Sequence, residues 1–219
     1  VSNPDSFIDE VTEEVRRDRL FMLFRKYGWI ALLLVVVIVG GAAYSEWQKA
    51  NRATAAKAFG DTLLTALDQP TPAERRTALA AAESAANGVP SKLALQKMLV
   101  ASDPAGDKAA TLAALAAVAA DTTIDQNYRD LAVLRGVIVA GADQDVATRR
   151  AALEPLTIPG RPFRTLALEQ LAYLLVEAGD IDAAITQLRA LSADQEAPTG
   201  LRGRAGQMIT ALGGQTAEG

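Results

Sequence analysis

The chain predicts an all-α protein, one transmembrane helix followed by an array of helical hairpins, and three observations predict it. The first is the stretch Trp29 to Tyr44, WIALLLVVVIVGGAAY, inside nineteen uncharged residues that run from Tyr27 to Ser45. At about 1.5 Å of rise per residue these span roughly 28 Å as a helix, close to the hydrocarbon thickness of a bilayer. The second is an interior available only from small aliphatic side chains. Half of the 219 residues are apolar but 5% are aromatic, and runs such as Ala78 to Ala82 and Ala109 to Ala120 are strong helix formers. The third is punctuation: helix-period segments alternate with Pro, Gly and Asp clusters and leave no place for a sheet.

Taken in order, residues 1–26 are expected to form a cytoplasmic amphipathic helix. Asp5 or Ser6 caps it and it begins near Phe7, with Ile8, Val11 and Val15 on one face. Glu13 and Arg17 stand four apart beside Asp9, Glu10, Glu14, Arg16 and Arg19, a solvated ion-pair face rather than a carboxylate pair for acid–base chemistry. Residues 27–47 are the predicted membrane anchor, with Trp29, Ile30, Leu33, Val37, Gly41, Tyr44 and Trp47 as its contact residues to lipid. Its aromatic rings sit at both ends, where amphipathic rings favour the headgroup layer. Arg16, Arg17, Arg19, Arg25 and Lys26 precede the span and Lys49, Arg52 and Lys57 follow it. That asymmetry places the N-terminus in the cytoplasm and the remainder outside it, in the periplasm of a bacterium with two membranes.

Residues 48–212 are expected to be a helical-repeat domain and 213–219 a flexible tail. The span helix continues from Glu46 to Leu67 before Pro70. Thr71-Pro72-Ala73-Glu74 then spells a capping box with proline in the first turn. Gly88 stops the following helix, and further breaks fall at Val89-Pro90, Asp103 to Gly106, Asp121 to Thr123, Gly141, Pro155 and Pro159 to Pro162. A single hairpin cannot cover its own apolar face, so consecutive hairpins must stack, either as a regular array or as an irregular bundle.

From Ala58 onward there are 14 Lys and Arg against 19 Asp and Glu, a net charge of −5. An acidic surface whose Arg75-Arg76 and Arg149-Arg150 pairs are isolated on helices and read as solvated faces is a poor match for a phosphate backbone, so nucleic acid is not expected as a partner. The chain has no cysteine and no histidine, which removes disulfides, thiolate metal sites and the usual neutral-pH acid–base side chain. No phosphate-cradling loop or nucleophile elbow is present. Asp180 and Asp182 lack the Gly and distant Glu of a calcium loop and belong to a hairpin turn, as Asp143 and Asp145 do. No enzymatic activity, cofactor, metal or small-molecule substrate is expected.

The segment Leu168 to Ile185, LEQLAYLLVEAGDIDAAI, continuing to Leu188 and Leu191, resembles a tetratricopeptide repeat. Leu168, Leu171 and Leu175 are expected to form the buried face of a first helix, Ala172 to allow close approach, and Gly179 to make the turn. Ala184 and Leu188 then pack the second helix. Leu168 stands where the family has an aromatic residue, Leu191 where it has a small one, and the terminal proline comes late as Pro198. Tyr128 to Gly136 is a weaker version, and Leu201 to Leu212 a closing helix.

Together, the charged N-terminal helix, the span between Trp29 and Trp47 and the degenerate repeats are similar to a bacterial tetratricopeptide-like single-pass membrane family, which includes the ancillary subunit of the Sec translocon. The resemblance implies an inner-membrane protein whose periplasmic repeats contact the translocon and periplasmic chaperones. Alternatively, the chain is an accessory subunit of another membrane complex, respiratory or envelope-assembling, held by its span, where Gly41 and Ser45 stand four apart. Exposed Arg161, Phe163 and Arg164, beside the Pro159 to Pro162 turn, are the candidates for an interaction surface, and the plainer expectation there is a solvent-facing turn with a packed Phe163.

Overall fold

The computed structural model describes residues 4–102 and 106–215, with backbone alone for 4–24 and for Ala31. Among these residues every regular element is helical. Nine α-helices follow in order: α1 (Pro4–Leu67), α2 (Pro72–Ala81), α3 (Pro90–Val100), α4 (Lys108–Ala120), α5 (Gln126–Ala140), α6 (Val146–Leu153), α7 (Arg164–Glu177), α8 (Ile181–Ala193) and α9 (Thr199–Ala211). Short 3-10 turns follow α2, α5 and α6, at Ala82–Ala86, Gly141–Asp143 and Glu154–Thr157. Contacts divide the chain into two units, Val1–Ala58 and Phe59–Gly219.

In the first unit α1 begins at Pro4, so Asp5 and Ser6 lie inside the helix rather than before it. The amphipathic face expected for residues 7–26 falls largely outside the described side chains. No proline interrupts α1 beyond its first residue, and residues 32–39 (LLLVVVIV) are all exposed large aliphatics. The window around them has a mean hydropathy of 2.1 and none of it is buried. The helix is long and apolar enough to cross a membrane.

The second unit is built from local signals that terminate helices, followed by long-range packing. Thr71 accepts from the Glu74 N–H at 3.2 Å while Glu74 Oε2 accepts from the Thr71 N–H at 3.2 Å, the capping box predicted for α2. Asp107, Asp125, Asp145 and Asp180 cap α4, α5, α6 and α8 in the same way, each side chain accepting a first-turn N–H. At the end of α7, Gly179 takes φ +81°. The N–H of Asp180 then reaches the Leu175 carbonyl at 2.9 Å and that of Gly179 the Val176 carbonyl at 3.0 Å. Only glycine enters this left-handed position without a Cβ penalty, so Gly179 makes the turn the sequence assigns to it.

Four apolar clusters succeed one another along the second unit. Phe59, Leu63 and Ala66 pack with Leu79, Ala82 and Ala86. Ala94 and Met98 of α3 join Leu115 and Val118 of α4 and Ala132 of α5. Leu134 and Val137 of α5 meet Leu153, Leu156, Ala167, Leu171 and Leu174. Ala172 of α7 completes the last cluster with Ile185, Leu188 and Leu191 of α8 and Leu201, Ala205 and Ile209 of α9. Helices α3, α5 and α7 each feed two successive clusters, Leu93 and Leu99 of α3 packing against the first. The alanines explain this: Ala94, Ala167, Ala172 and Ala184 are fully buried, which lets backbones approach where larger side chains would separate them. Beyond α9, residues 216–219 of the expected tail lie outside the described residues.

Candidate functional site

The residues expected to form the anchor are all exposed along α1. Trp29 and Tyr44 are each 62% exposed and Trp47 61%, and Ile30, Leu33 and Val37 are exposed as well. The Tyr44 and Trp47 rings lie 6.0 Å apart at 39°, and Lys26 stands 5.5 Å over the Tyr27 ring. Aromatic rings with a cation beside them flank an apolar middle, the arrangement favoured at bilayer interfaces. Ser45 Oγ donates to the Ala42 carbonyl at 2.8 Å, so its hydroxyl is satisfied within α1. A Cβ at Gly40 or Gly41 meets nothing within 4 Å, leaving a smooth patch on the helix.

The repeat residues are placed unevenly. Leu171, Ala172, Ala184 and Leu188 are buried, as expected. Leu168 and Leu175 are only half-buried, and the buried face of α7 is instead Ala167, Leu171 and Leu174. Spacings of four and seven residues satisfy helical periodicity as well as the sequence-based choice did, and the direction of α5 and α6 selects the stripe.

Polar residues that looked like a solvated surface are largely committed to ion pairs between elements. Arg161 Nη1 binds both Asp130 oxygens, at 2.9 and 3.1 Å, with Asp130 also accepting from Gln126 at 2.6 Å. Asp130 is buried on α5. Arg164 is clamped by Asp194 at 2.5 Å and Glu196 at 2.7 Å, and both carboxylates hold its guanidinium pKa above the usual arginine range. Phe163 packs against the cluster around Leu171. Arg161, Phe163 and Arg164 are therefore built into the fold and are not a free interaction patch. Arg149 is buried and paired with Glu177 at 2.5 Å, and Arg76 meets Asp107 at 3.7 Å, so neither arginine pair is simply a solvated face. Glu169, buried on α7, accepts two bonds from Arg204 at 2.9 and 3.0 Å and one from Tyr173. Desolvation, with Glu169 alongside, pushes the Tyr173 phenol above its ordinary value. Lys108 of α4 bridges to Asp143 at 2.6 Å and to the Ala140 carbonyl at 2.8 Å; its hydrogen bond holds the Asp143 carboxyl below the ordinary carboxylate range.

These pairs recur at similar separations, 31 residues for Asp130 with Arg161, 30 for Arg164 with Asp194, 28 for Arg149 with Glu177, and 35 for both Lys108 with Asp143 and Glu169 with Arg204. A second recurrence joins neighbouring helices: Gln96 Nε2 donates to the Leu79 carbonyl, 17 residues back, and Gln187 Nε2 to the Leu168 carbonyl, 19 back.

No family model, curated protein or solved structure matches the chain. The functional reading therefore rests on the surfaces themselves. Two open grooves stand out in the second unit. One, of about 490 Å³, has walls from Leu112, Ala116 and Ala119 of α4 and Val133, Gly136 and Ala140 of α5. The other, of about 480 Å³, lies between Leu168 and Leu175 of α7 and Ala183, Gln187 and Ala190 of α8, and ends at Arg164 and Asp194. Both are lined mainly by apolar side chains, so each is suited to hold an apolar surface.

Proposed function

We propose that this chain is a single-pass membrane protein whose helical unit binds other proteins. The observation that carries this reading is the run 32–39 of α1, apolar and exposed on every side. A helix that is apolar all round needs a non-aqueous surrounding, and here the bilayer supplies it. The unit beyond is read as a tetratricopeptide-like hairpin array. Support comes from the chain of shared apolar clusters, the Gly179 turn, and ion pairs that join residues 28 to 35 apart, close to the length of one such repeat. Arrays of this kind offer extended surfaces, and an anchor confines them beside membrane partners and raises their effective concentration.

In this reading the N-terminus is cytoplasmic, the array is periplasmic in the bacterial inner membrane, and its partners are the Sec translocon and periplasmic chaperones. Photo-crosslinking in intact cells, from probes at Trp47 and along α7, tests partner and topology together. Translocon subunits, chaperones or chains in export among the products support the reading. Protease sensitivity of the helical unit only after the inner membrane is opened to the cytoplasmic side reverses the topology. A second reading, an accessory subunit held by its span, is favoured by the smooth patch at Gly40 and Gly41. Replacing the span with an unrelated one abolishes association in that case and spares it in the first.

A further inference from the structure

The α7–α8 groove has a length and a charge pattern that narrow what it takes. Leu168 and Leu175 stand seven residues apart on one wall, Ala183 and Ala190 seven apart on the other. Each stripe therefore covers two helical turns, about 10.5 Å. Leu168 and Leu175 line one side, and Ala183 and Ala190 with Thr186 and the buried Leu191 the other, with Gln187 between, its amide tied to the Leu168 carbonyl at 2.8 Å. A partner helix can come close over the alanines while its own leucines fill the space beside Leu168 and Leu175.

Charge surrounds the strip unevenly. At one end Arg164 faces two carboxylates, Asp194 and Glu196, which leaves one negative charge in excess. At the other end the turn between α7 and α8 carries Asp180 and Asp182. Asp180 caps α8 by accepting the Ala183 N–H at 3.2 Å, and Asp182 is exposed. Glu177 nearby is neutralised by Arg149, while Arg189 turns to the Gln215 carbonyl at 3.0 Å, on the side where α9 ends. Counting Arg189, two arginines thus stand against four carboxylates around the apolar strip, a net charge of −2, with Arg164 and Asp194 the charged residues that line it. At the α4–α5 groove the Asp143 of one end is matched by Lys108.

We propose that the α7–α8 groove is a docking site for a helical segment of a partner protein with a two-turn apolar stripe flanked by Lys or Arg at both ends. Apolar contact supplies affinity, and the acidic ends select cationic flanks and set orientation. The proposal rests on the scaffold reading, of which it names the partner class.

The test uses the full chain in phosphatidylcholine nanodiscs, with empty discs as the control for lipid binding. The probe is a fluorescent synthetic helix with leucines at i, i+4 and i+7 and two lysines at each end, titrated by anisotropy beside a twin with glutamates in place of the lysines. The lysine probe is expected to bind at least tenfold tighter than its twin, and to weaken several-fold as salt rises from about 0.05 to 0.5 M. Ala190→Trp, at an exposed position filling the groove, is expected to weaken binding tenfold or more. Combined Asp182→Asn and Glu196→Gln is expected to narrow the preference between the two probes. Equal binding of the twins, or wild-type affinity in Ala190→Trp with an unchanged far-UV spectrum, overturns the proposal. So does loss of self-association in Ala190→Trp, seen by light scattering, without binding of the lysine probe, which makes the groove a face for a second copy. Cross-links to partner proteins that persist in Ala190→Trp leave the scaffold reading standing and remove this groove from it. Probe binding without any cross-linked partner in cells does the reverse.

Discussion

Leu174 and Leu175 are adjacent in sequence and identical in chemistry, yet one is buried in the cluster shared with α5 and α6 and the other is half-exposed on the groove wall. Truncating Leu174 to alanine removes packed atoms and leaves a cavity, a loss of about 2–4 kcal/mol, whereas Leu175→Ala is expected to cost about 1 kcal/mol. Denaturant unfolding of the two variants checks the assignment, and equal losses refute it. A second residue-scale prediction concerns Asp130. Its carboxylate is buried and held by Arg161 and Gln126, so Arg161→Ala strands a charge in the interior. With Arg161 itself partly exposed and Gln126 still in place, the expected loss is about 2–3 kcal/mol, below the roughly 3–5 kcal/mol of a fully buried pair. Replacing both partners together, Asp130→Leu with Arg161→Met, removes the stranded charge and is expected to recover most of that loss.

At the scale of elements, the helix boundaries were legible because caps are local. Thr71 with Glu74, Asp145 before α6 and Gly179 after α7 each act on backbone groups within a few residues. The ion pairs were not legible. The Pro159 to Pro162 turn looked free because nothing local shows that Arg161 reaches back to Asp130 or that Arg164 reaches on to Asp194. Only the packing of successive helices brings residues about thirty apart together. The same limit hid which α7 stripe is buried, since Ala167-Leu171-Leu174 and Leu168-Leu171-Leu175 fit one period equally well, and it hid the α7–α8 groove. Helix α6 is where a local signal matters most. It has eight residues, too few to persist by propensity alone, and Asp145 accepts the Thr148 N–H at 2.8 Å at its start. Asp145→Ala is expected to cost about 1 kcal/mol, with amide exchange accelerating first in residues 146–153. Acid has a related effect. Hydrogen bonds from Thr148 to Asp145, from Lys108 to Asp143 and from Arg149 to Glu177, and the Glu196 N–H followed by Arg164 at Asp194, hold all four carboxyls below their ordinary values. A folded-state pKa below the unfolded one contributes stability that is present above the unfolded value, near pH 4, and is lost as pH falls through the folded value. The melting temperature is therefore expected to hold from pH 7 to about 5 and to drop below pH 4. A flat profile down to pH 2.5 contradicts these pairings.

For the whole molecule, the apolar run of α1 and the helical unit obey different rules, which makes them separable by mutation. In the second unit a charge placed in the core destroys packing, but along residues 32–39 of α1 there is no protein packing to destroy, since the side chains are exposed all round. A charge there costs only what its surroundings impose. In water Val36→Arg is neutral or favourable, because it removes exposed apolar surface. At the centre of a bilayer it opposes insertion by about 2.5–3.5 kcal/mol. The window has a mean hydropathy of 2.1, so one arginine weakens integration and a second, at Val39, is expected to abolish it. Expressed in cells, wild type is expected to resist alkaline carbonate extraction, Val36→Arg to be partly extracted, and the double variant to be found with soluble proteins or degraded. The decisive comparison is with the helical unit. Its near-UV spectrum and acid profile are expected to survive in whatever double variant is recovered, because the clusters from Phe59 to Ile209 draw no side chain from residues 32–39. Loss of the fold together with membrane integration makes the span part of the folding unit, and full carbonate resistance of the double variant places the attachment outside residues 32–39.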